Sequence, residues 1–151
     1  MIILAIDSGI EKTGYAVFND RKYVTSALVF TAKTLSTEAR LEQIYDNLKK
    51  VFRQYKPEVV VIERLFFFKN QTTAIRVSQA QGVVLLLAAQ NKTRVDFLTP
   101  LQIKQTVTGY GQADKKAVQK MIKMELGIDI KQDDEADAVA CGYSYSLISK
   151  I

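Results

Sequence analysis

Four carboxylates are placed where they could act together on a substrate. Asp7 follows one short run of consecutive apolar residues and Glu63 follows another. Such runs are typical of strands buried on both faces, so both acids are predicted to emerge at strand ends. Asp134 and Asp137 are three residues apart, which places them on one face near the amino terminus of a predicted helix. The positive end of that helix favours their ionised forms.

A cluster of carboxylates suits the hydrolysis of a phosphodiester with hard divalent metal ions. Such ions prefer oxygen ligands, and two of them about 3.5 to 4 Å apart can stabilise both the attacking and the leaving oxygen. The chain has no histidine and a single cysteine, Cys141. This composition excludes ordinary zinc sites, intrachain disulfides and catalytic triads that need histidine. Hydrolysis would therefore depend on carboxylates and metal ions.

Each acid also has a purely structural interpretation. Asp7 precedes a Ser-Gly pair and is typical of a turn, and the acids at 133–135 are typical of a helix cap and first turn. For either position taken alone, the structural interpretation is favoured. Glu63 differs, because an ionisable group next to an apolar run is costly to bury without a partner or a metal ion.

The order of hydrophobic patterns predicts an α/β fold with a five-stranded mixed sheet flanked by helices. Three antiparallel strands come first and parallel strands follow. The predicted strands lie at residues 2–6, 15–18, 23–31, 59–62 and 94–98. The predicted helices lie at residues 36–56, 70–91, 100–107, 113–126 and 133–149.

Charge is unevenly distributed along the chain. The formal net charge of +5 suits an anionic partner without identifying one. Residues 104–123 hold five lysines and one acid, whereas acids gather at 129–137. The length predicts one domain over residues 1–151. The longest apolar run, at 83–89, is too short to span a bilayer and no signal peptide is visible, so a cytoplasmic location is expected.

Several motifs, in their order and spacing, resemble the RuvC-type Holliday junction resolvases. They are AIDSG…TGYAVF, VIERLFFFKN, AQG, TPLQIKQTVTGYGQADKKAVQKM and DDEADAVA. Each motif alone is weak, but the ordered set spans nearly the whole chain. The resemblance implies a ribonuclease H-like fold and a homodimer that nicks two opposed strands of a four-way DNA junction in recombination and repair. It also implies 5′-phosphate and 3′-hydroxyl ends, with Mg²⁺ as cofactor, two ions per site, and Mn²⁺ as a substitute.

The resemblance assigns the acids and two lysines to functional positions. The four acids match the family's catalytic, metal-binding positions: Asp7, Glu63, Asp134 and Asp137. Lys104 and Lys115 match its functional lysines. Lys115 is the better candidate for balancing charge on the transition-state phosphate, and Lys104 for binding the DNA backbone. Either could instead be a solvated helix lysine.

Further DNA contacts are predicted around the central acid and the basic segment. Phe66 matches the family's aromatic residue that stacks on unpaired bases, although Phe66, Phe67 and Phe68 could be partly core. Phosphate contacts are predicted for four more residues: Lys69, Asn70, Arg76 and Lys116. Helix capping is the competing explanation for Asn70.

The helix predicted at residues 70–91 is apolar nearly all round in its second half, which indicates burial on more than one side. Burial within one domain would explain this, but the resemblance implies a dimer through this helix. It also makes a branch-migration complex of the RuvA and RuvB type a candidate partner. Two departures stand beside catalytic acids, Ser8 where proline is usual and Arg64 where a neutral polar residue is common. Neither removes a metal ligand.

Other functions compete with this interpretation. Asp7, Gly9 and the Thr13-Gly14 pair also resemble the first phosphate loop of actin-like ATPases and sugar kinases. Those proteins need a second domain and further glycine-rich loops, for which 151 residues leave no room. A junction-binding protein without catalysis, or another nuclease or transposase of the same fold, is also compatible with parts of the pattern.

Overall fold

Five strands form one mixed sheet within residues 1–64 and 70–149, the part of the chain that the computed structural model describes. The strands are β1 (Ile2–Asp7), β2 (Lys12–Asn19), β3 (Lys22–Phe30), β4 (Val59–Glu63) and β5 (Arg94–Leu98). Their order across the sheet is β3-β2-β1-β4-β5. The first three form an antiparallel meander, and β4 and β5 add to it in parallel. This confirms the predicted five-stranded mixed sheet.

The described residues also form helices that cover both faces of the sheet. They are α1 (Thr37–Tyr55), α2 (Gln71–Gln90), α3 (Pro100–Thr108), α4 (Lys115–Leu126) and α5 (Asp133–Ile148). Side-chain caps start four of them, at Ser36, Asn70, Thr99 and Asp114. Each cap satisfies a backbone N–H that has no partner within its helix.

The core has two layers, one on each face of the sheet. The first packs α1 and α2 against side chains such as Leu4 and Val60. The second packs α3, α4 and α5 against side chains such as Ala5 and Val61. Successive residues of β1 and β4 therefore enter opposite layers, which explains why the apolar residues of both strands are consecutive.

Two predicted boundaries differ from the structure in ways that bear on the site. The second strand was predicted at 15–18, but β2 begins at Lys12 and includes Gly14, which pairs with Asp7. The fourth helix was predicted from residue 113, but α4 begins at Lys115. Asp114 caps it by accepting a hydrogen bond from the Ala117 N–H at 2.8 Å.

Candidate active site

Two of the four acids lie side by side at one edge of the sheet. Asp7 is the last residue of β1 and Glu63 the last of β4. These strands run parallel, with Ile6 paired to Ile62, so both acids emerge at the same edge. The four residues before Glu63 are fully buried and Glu63 itself is partly buried. The strand pattern thus brings these two carboxylates together as predicted.

The first turn of α5 brings the other two acids to this edge. Asp134 lies close enough to Asp7 to raise the pKa of the Asp7 carboxyl group. Asp137 interacts electrostatically with both Asp7 and Glu63. Residues three apart on a helix share a face, which explains why Asp134 and Asp137 point to the same edge.

Burial and repulsion make three of the carboxyl groups, those of Asp7, Glu63 and Asp137, difficult to ionise. Burial first, then the charges of Asp137 and Asp134, raise the pKa of Asp7 to about 9. Burial and Asp137 also raise the pKa of Glu63, with Lys115 and Lys104 opposing the shift. Burial raises the pKa of Asp137, and Lys115 again opposes it. These acidic groups thus lie close together at a partly buried sheet edge, where water screens their charges poorly.

Lys115 is the cation in direct contact with this cluster among the described residues. Its Nζ lies 3.1 Å from Oδ2 of Asp137 and 3.4 Å from Oδ2 of Asp133. The Asp114 cap fixes the first turn of α4, which carries the lysine. Gln119 donates from Nε2 to Oδ1 of Asp133 at 3.4 Å. The sequence pattern at Asp133 is that of a cap or first-turn acid, and nothing in its local spacing indicates the contact with Lys115.

The chemistry of the four carboxylates fits hard divalent cations. All the donors are oxygen atoms, and a cation would relieve the repulsion that, after burial, raises the pKa values of Asp7, Glu63 and Asp137. Within the described residues, however, no three acids already converge in an arrangement that could hold an ion. Lys115 instead holds Asp137 in an ion pair. The four carboxylates therefore have the chemistry that a hard divalent cation prefers, although among the described residues they do not surround a common point.

Several clefts reach these acids in the part of the chain that the structure describes, and two of them contain residues predicted to contact DNA. One of about 280 Å³ is lined by Glu63 and Asp137 together with Lys104 and Lys115. The other, of about 310 Å³, is lined by Asp134 together with Arg76 and residues 9–12. Each cleft therefore brings basic side chains to the acids, an arrangement suited to a substrate that is itself anionic.

The predicted DNA contacts differ in where they lie. Lys104 and Arg76 line the two clefts. Asn70 caps α2, since its Oδ1 accepts from the Thr72 N–H at 2.8 Å. Lys116 is exposed on α4. Phe66 and Lys69, with Phe67 and Phe68, lie outside the described residues.

The two departures from the family pattern have different surroundings. The Arg64 guanidinium lies 4.2 Å from the centre of the Phe97 ring, so it stacks on β5. The Ser8 hydroxyl is buried and has no hydrogen-bond partner within the described part of the chain. The stacking on Phe97 could not be found from sequence, because it joins the residue that follows β4 to a residue of β5.

The mixed sheet order and the acids at its edge define a ribonuclease H-like nuclease fold. Comparison with known proteins specifies the family. The family model described as "Crossover junction endodeoxyribonuclease RuvC" matches residues 3–144. The chain therefore belongs to the RuvC family of crossover junction endodeoxyribonucleases.

Relatives and solved structures agree with this family. A crossover junction endodeoxyribonuclease RuvC from Fusobacterium nucleatum is 46% identical, over 100% of this chain and 84% of that protein. One from Caldicellulosiruptor saccharolyticus is 41% identical, over 99% of this chain and 94% of that protein. The structure of T. thermophilus RuvC in complex with Holliday junction substrate matches with a TM-score of 0.89 and 28% identity. It covers 97% of this chain and 93% of that chain.

Proposed function

We propose that this chain is a metal-dependent Holliday junction resolvase that nicks two opposed strands of a four-way DNA junction symmetrically. The products carry 5′-phosphate and 3′-hydroxyl ends. The observation that carries the proposal is that β1, β4 and α5 bring four acids to one sheet edge, where Lys115 pairs with Asp137. Family membership supplies the class of substrate. One nuclease domain over residues 1–151 acts on DNA in the cytoplasm.

Asp7, Glu63, Asp134 and Asp137 hold two Mg²⁺ ions, for which Mn²⁺ can substitute. These ions supply charge stabilisation at the attacking and leaving oxygens of the scissile phosphodiester. The protein supplies four oxygen donors on three separate elements and a site from which much of the water is excluded. Without the ions, burial and the neighbouring acids keep a proton on Asp7, which a metal ion would have to displace.

Lys115 and Lys104 act on the substrate phosphate rather than on the metal ions. Lys115 already lies against Asp137, which places its ammonium group at the edge of the acid cluster, where it balances charge on the phosphate in the transition state. Lys104 lines the same cleft as Glu63 and binds the DNA backbone. Burial raises the pKa of Glu63, and both lysines oppose this rise, as expected for cations placed close to that carboxylate.

The remaining DNA contacts come from the residues around the start of α2 and from α4. Phe66 stacks on an unpaired base near the crossover, which contributes about 1 to 3 kcal/mol per base. Lys69, Asn70, Arg76 and Lys116 contact phosphates. Arg76 is supported by its place in the cleft that Asp134 also lines. Asn70 uses its carbonyl oxygen as a cap, which leaves its amide nitrogen to donate.

The enzyme is a homodimer that pairs through α2. Four residues of this 20-residue helix are buried, while three large apolar side chains are exposed: Ile75, Leu85 and Leu86. Among the described helices, α2 alone is long and apolar enough to span a membrane. Core helices of other proteins meet the same criterion, so this finding is only weak evidence for a membrane span. A second copy of the chain covers these exposed apolar side chains, and the resulting dimer presents two active sites to two DNA strands. A RuvA and RuvB type complex supplies the migrating junction.

The dimer proposal has a direct test. Leu86→Glu places a charge on the exposed apolar face, 52% exposed in the single chain, and should convert dimers to monomers in light scattering after size exclusion. Lys50→Glu, on the exposed surface of α1, is the matched control. A Leu86→Glu protein of unchanged mass would contradict the α2 interface.

The proposed activity is tested by nicking a mobile synthetic four-way junction and a linear duplex of the same sequence, each with Mg²⁺ and with EDTA. Symmetric cuts in the junction alone, and with Mg²⁺ alone, are expected. Equal cutting of both substrates would overturn the junction specificity. Binding of the junction without cutting would overturn the catalytic assignment.

A further inference from the structure

The first turn of α5 lies directly against the backbone of β2 at Gly14. A Cβ added to Gly14 would lie 2.0 Å from the Asp134 carbonyl oxygen and 2.8 Å from the Glu135 nitrogen. Neither backbone atom could move without moving the helix. Gly14 is also the residue that pairs with Asp7 across the β1–β2 ladder. One glycine therefore sets the distance between the two elements that carry Asp7 and Asp134.

A hydrogen-bond chain from β3 holds the same turn of α5 from the side. The Ser26 hydroxyl donates to Oε1 of Glu135 at 2.6 Å, and the Tyr23 hydroxyl lies 2.8 Å from the Ser26 oxygen. Because the one proton of Ser26 is used toward Glu135, Tyr23 is the donor to Ser26. The chain joins residues 109 positions apart in sequence. Its acceptor, Glu135, stands between two of the proposed metal ligands.

The start of α5 needs such a tertiary anchor. The described caps of α1, α2, α3 and α4 include a side-chain hydrogen bond, whereas the residue before α5, Gln132, makes none. Glu135 follows Asp134 by about 100° around the helix axis, so a bond from Glu135 to β3 fixes the rotation that aims Asp134 and Asp137 at the sheet edge. Gly14 thus determines how closely the first turn of α5 approaches β2, and Ser26 determines how that turn is rotated about the helix axis.

We infer that Ser26 and Glu135 are positioning residues that orient the first turn of α5 for metal binding. The inference rests on the proposed function of the four acids. Neither side chain is a proposed metal ligand. Groups that hydrogen-bond directly to metal ligands commonly change metal affinity by about 10- to 100-fold when removed, and Ser26 and Glu135 act on Asp134 and Asp137 through the backbone of the same helical turn.

The experiment measures Mn²⁺ binding to the otherwise metal-free protein, by calorimetry and by the electron paramagnetic resonance signal of the free ion. Ser26→Ala removes the donor without changing charge, and Glu135→Ala removes the acceptor. Glu135→Gln keeps an oxygen that accepts from Ser26 while losing the charge. Thr25→Ala is the matched control, because Thr25 precedes Ser26 on β3 and points to the opposite face. Thermal unfolding of each variant confirms folding.

Ser26→Ala and Glu135→Ala are expected to weaken Mn²⁺ binding by about tenfold or more. Glu135→Gln and Thr25→Ala should bind as the wild type does. Wild-type affinity in the Ser26→Ala protein, or loss in Glu135→Gln equal to that in Glu135→Ala, would overturn the inference while leaving the proposed function intact. A wild-type protein that neither binds Mn²⁺ nor nicks junctions would overturn the proposed function and the inference together.

Discussion

The two ends of α5 carry polar clusters of opposite character. At its amino-terminal end, Asp134 and Asp137 join other acids at the sheet edge, and burial followed by repulsion raises the pKa values of Asp7 and Asp137. At its carboxyl-terminal end, Tyr145 binds Asp96 and accepts a hydrogen bond from Arg94 at 2.8 Å. Arg94 and Asp96 also form an ion pair at 3.4 Å. One cluster gathers like charges and the other pairs opposite ones.

This difference separates function from stability along a single helix. Opposite charges with hydrogen bonds between them stabilise the packing of α5 on β5 without any ligand. Like charges gathered at a partly buried edge cost stability unless a cation joins them. The first cluster should therefore respond to metal ions and pH, and the second should not respond to metal ions. Each variant below tests that division.

Asp7→Asn should have the largest effect. It removes a proposed metal ligand, which contributes several kcal/mol to the transition state, so junction cleavage should fall by about a thousandfold or more. Junction binding should be largely retained, because Asp7 makes no proposed contact with the DNA backbone. Cleavage under single-turnover conditions and junction binding without metal measure the two effects.

Asp96→Asn is the matched acid-to-amide control at the other end of α5, and its cleavage rate should be that of the wild type. A loss of binding in Asp7→Asn equal to its loss of cleavage would contradict the division of roles. Equal loss of cleavage in the two variants would break the contrast between the two ends of α5.

Lys115→Ala should have the next largest effect. Removing a single group that stabilises the charge of a transition state commonly lowers the rate by about 10²- to 10³-fold. Lys120→Ala, an exposed lysine on the same helix, is the control and should leave the rate unchanged. Single-turnover cleavage at saturating enzyme separates this effect from weaker binding. An unchanged rate in Lys115→Ala would reduce its role to the ion pair with Asp137.

The features of the acid cluster that depend on local pattern were predictable from the sequence. Consecutive apolar residues before Asp7 and Glu63 predicted strands ending at acids, and three-residue spacing predicted that Asp134 and Asp137 share a helix face. The helix and strand order followed from hydrophobic periodicity in the same way. The family resemblance was confirmed by the family model.

The contacts between distant segments were not predictable in this way. The bond from Ser26 to Glu135 and the packing of Gly14 on Asp134 depend on where β2 and β3 pass α5. Nothing in the local spacing of either segment encodes that meeting. The same holds for Tyr145, which joins α5 to β5 through its contact with Asp96. Its local spacing predicts no such contact. Local pattern thus predicted the acids, and tertiary packing determines what holds them.

The stability of the metal-free protein should depend on pH because of the acid cluster. Burial and neighbouring acids raise the pKa of Asp7 from 3.8 to about 9, so between these values the folded protein holds a proton that the unfolded chain has lost. Stability therefore decreases as pH rises through this window, by up to about 1.4 kcal/mol per pH unit for one proton. The raised pKa values of Glu63 and Asp137 act in the same direction.

Urea unfolding in EDTA at several values between about pH 6 and about pH 8 measures this slope. Asp7→Asn should flatten it and should make the metal-free protein more stable at the upper end of the range. Mg²⁺ should oppose the loss, because the ion displaces the proton. Wild-type stability that rises with pH in EDTA would contradict the raised pKa of Asp7.

Tyr145→Phe should have the smallest effect and tests the other end of α5. It removes the hydroxyl that joins Arg94 and Asp96 while keeping the buried ring, so the free energy of unfolding should fall by about 1 kcal/mol. Both charged partners are partly exposed and remain paired with each other, which limits the loss. Urea unfolding measures the change, and the difference from wild type should be the same with Mg²⁺ and with EDTA. A Tyr145→Phe protein whose Mn²⁺ affinity or cleavage rate fell would show that the two ends of α5 are coupled.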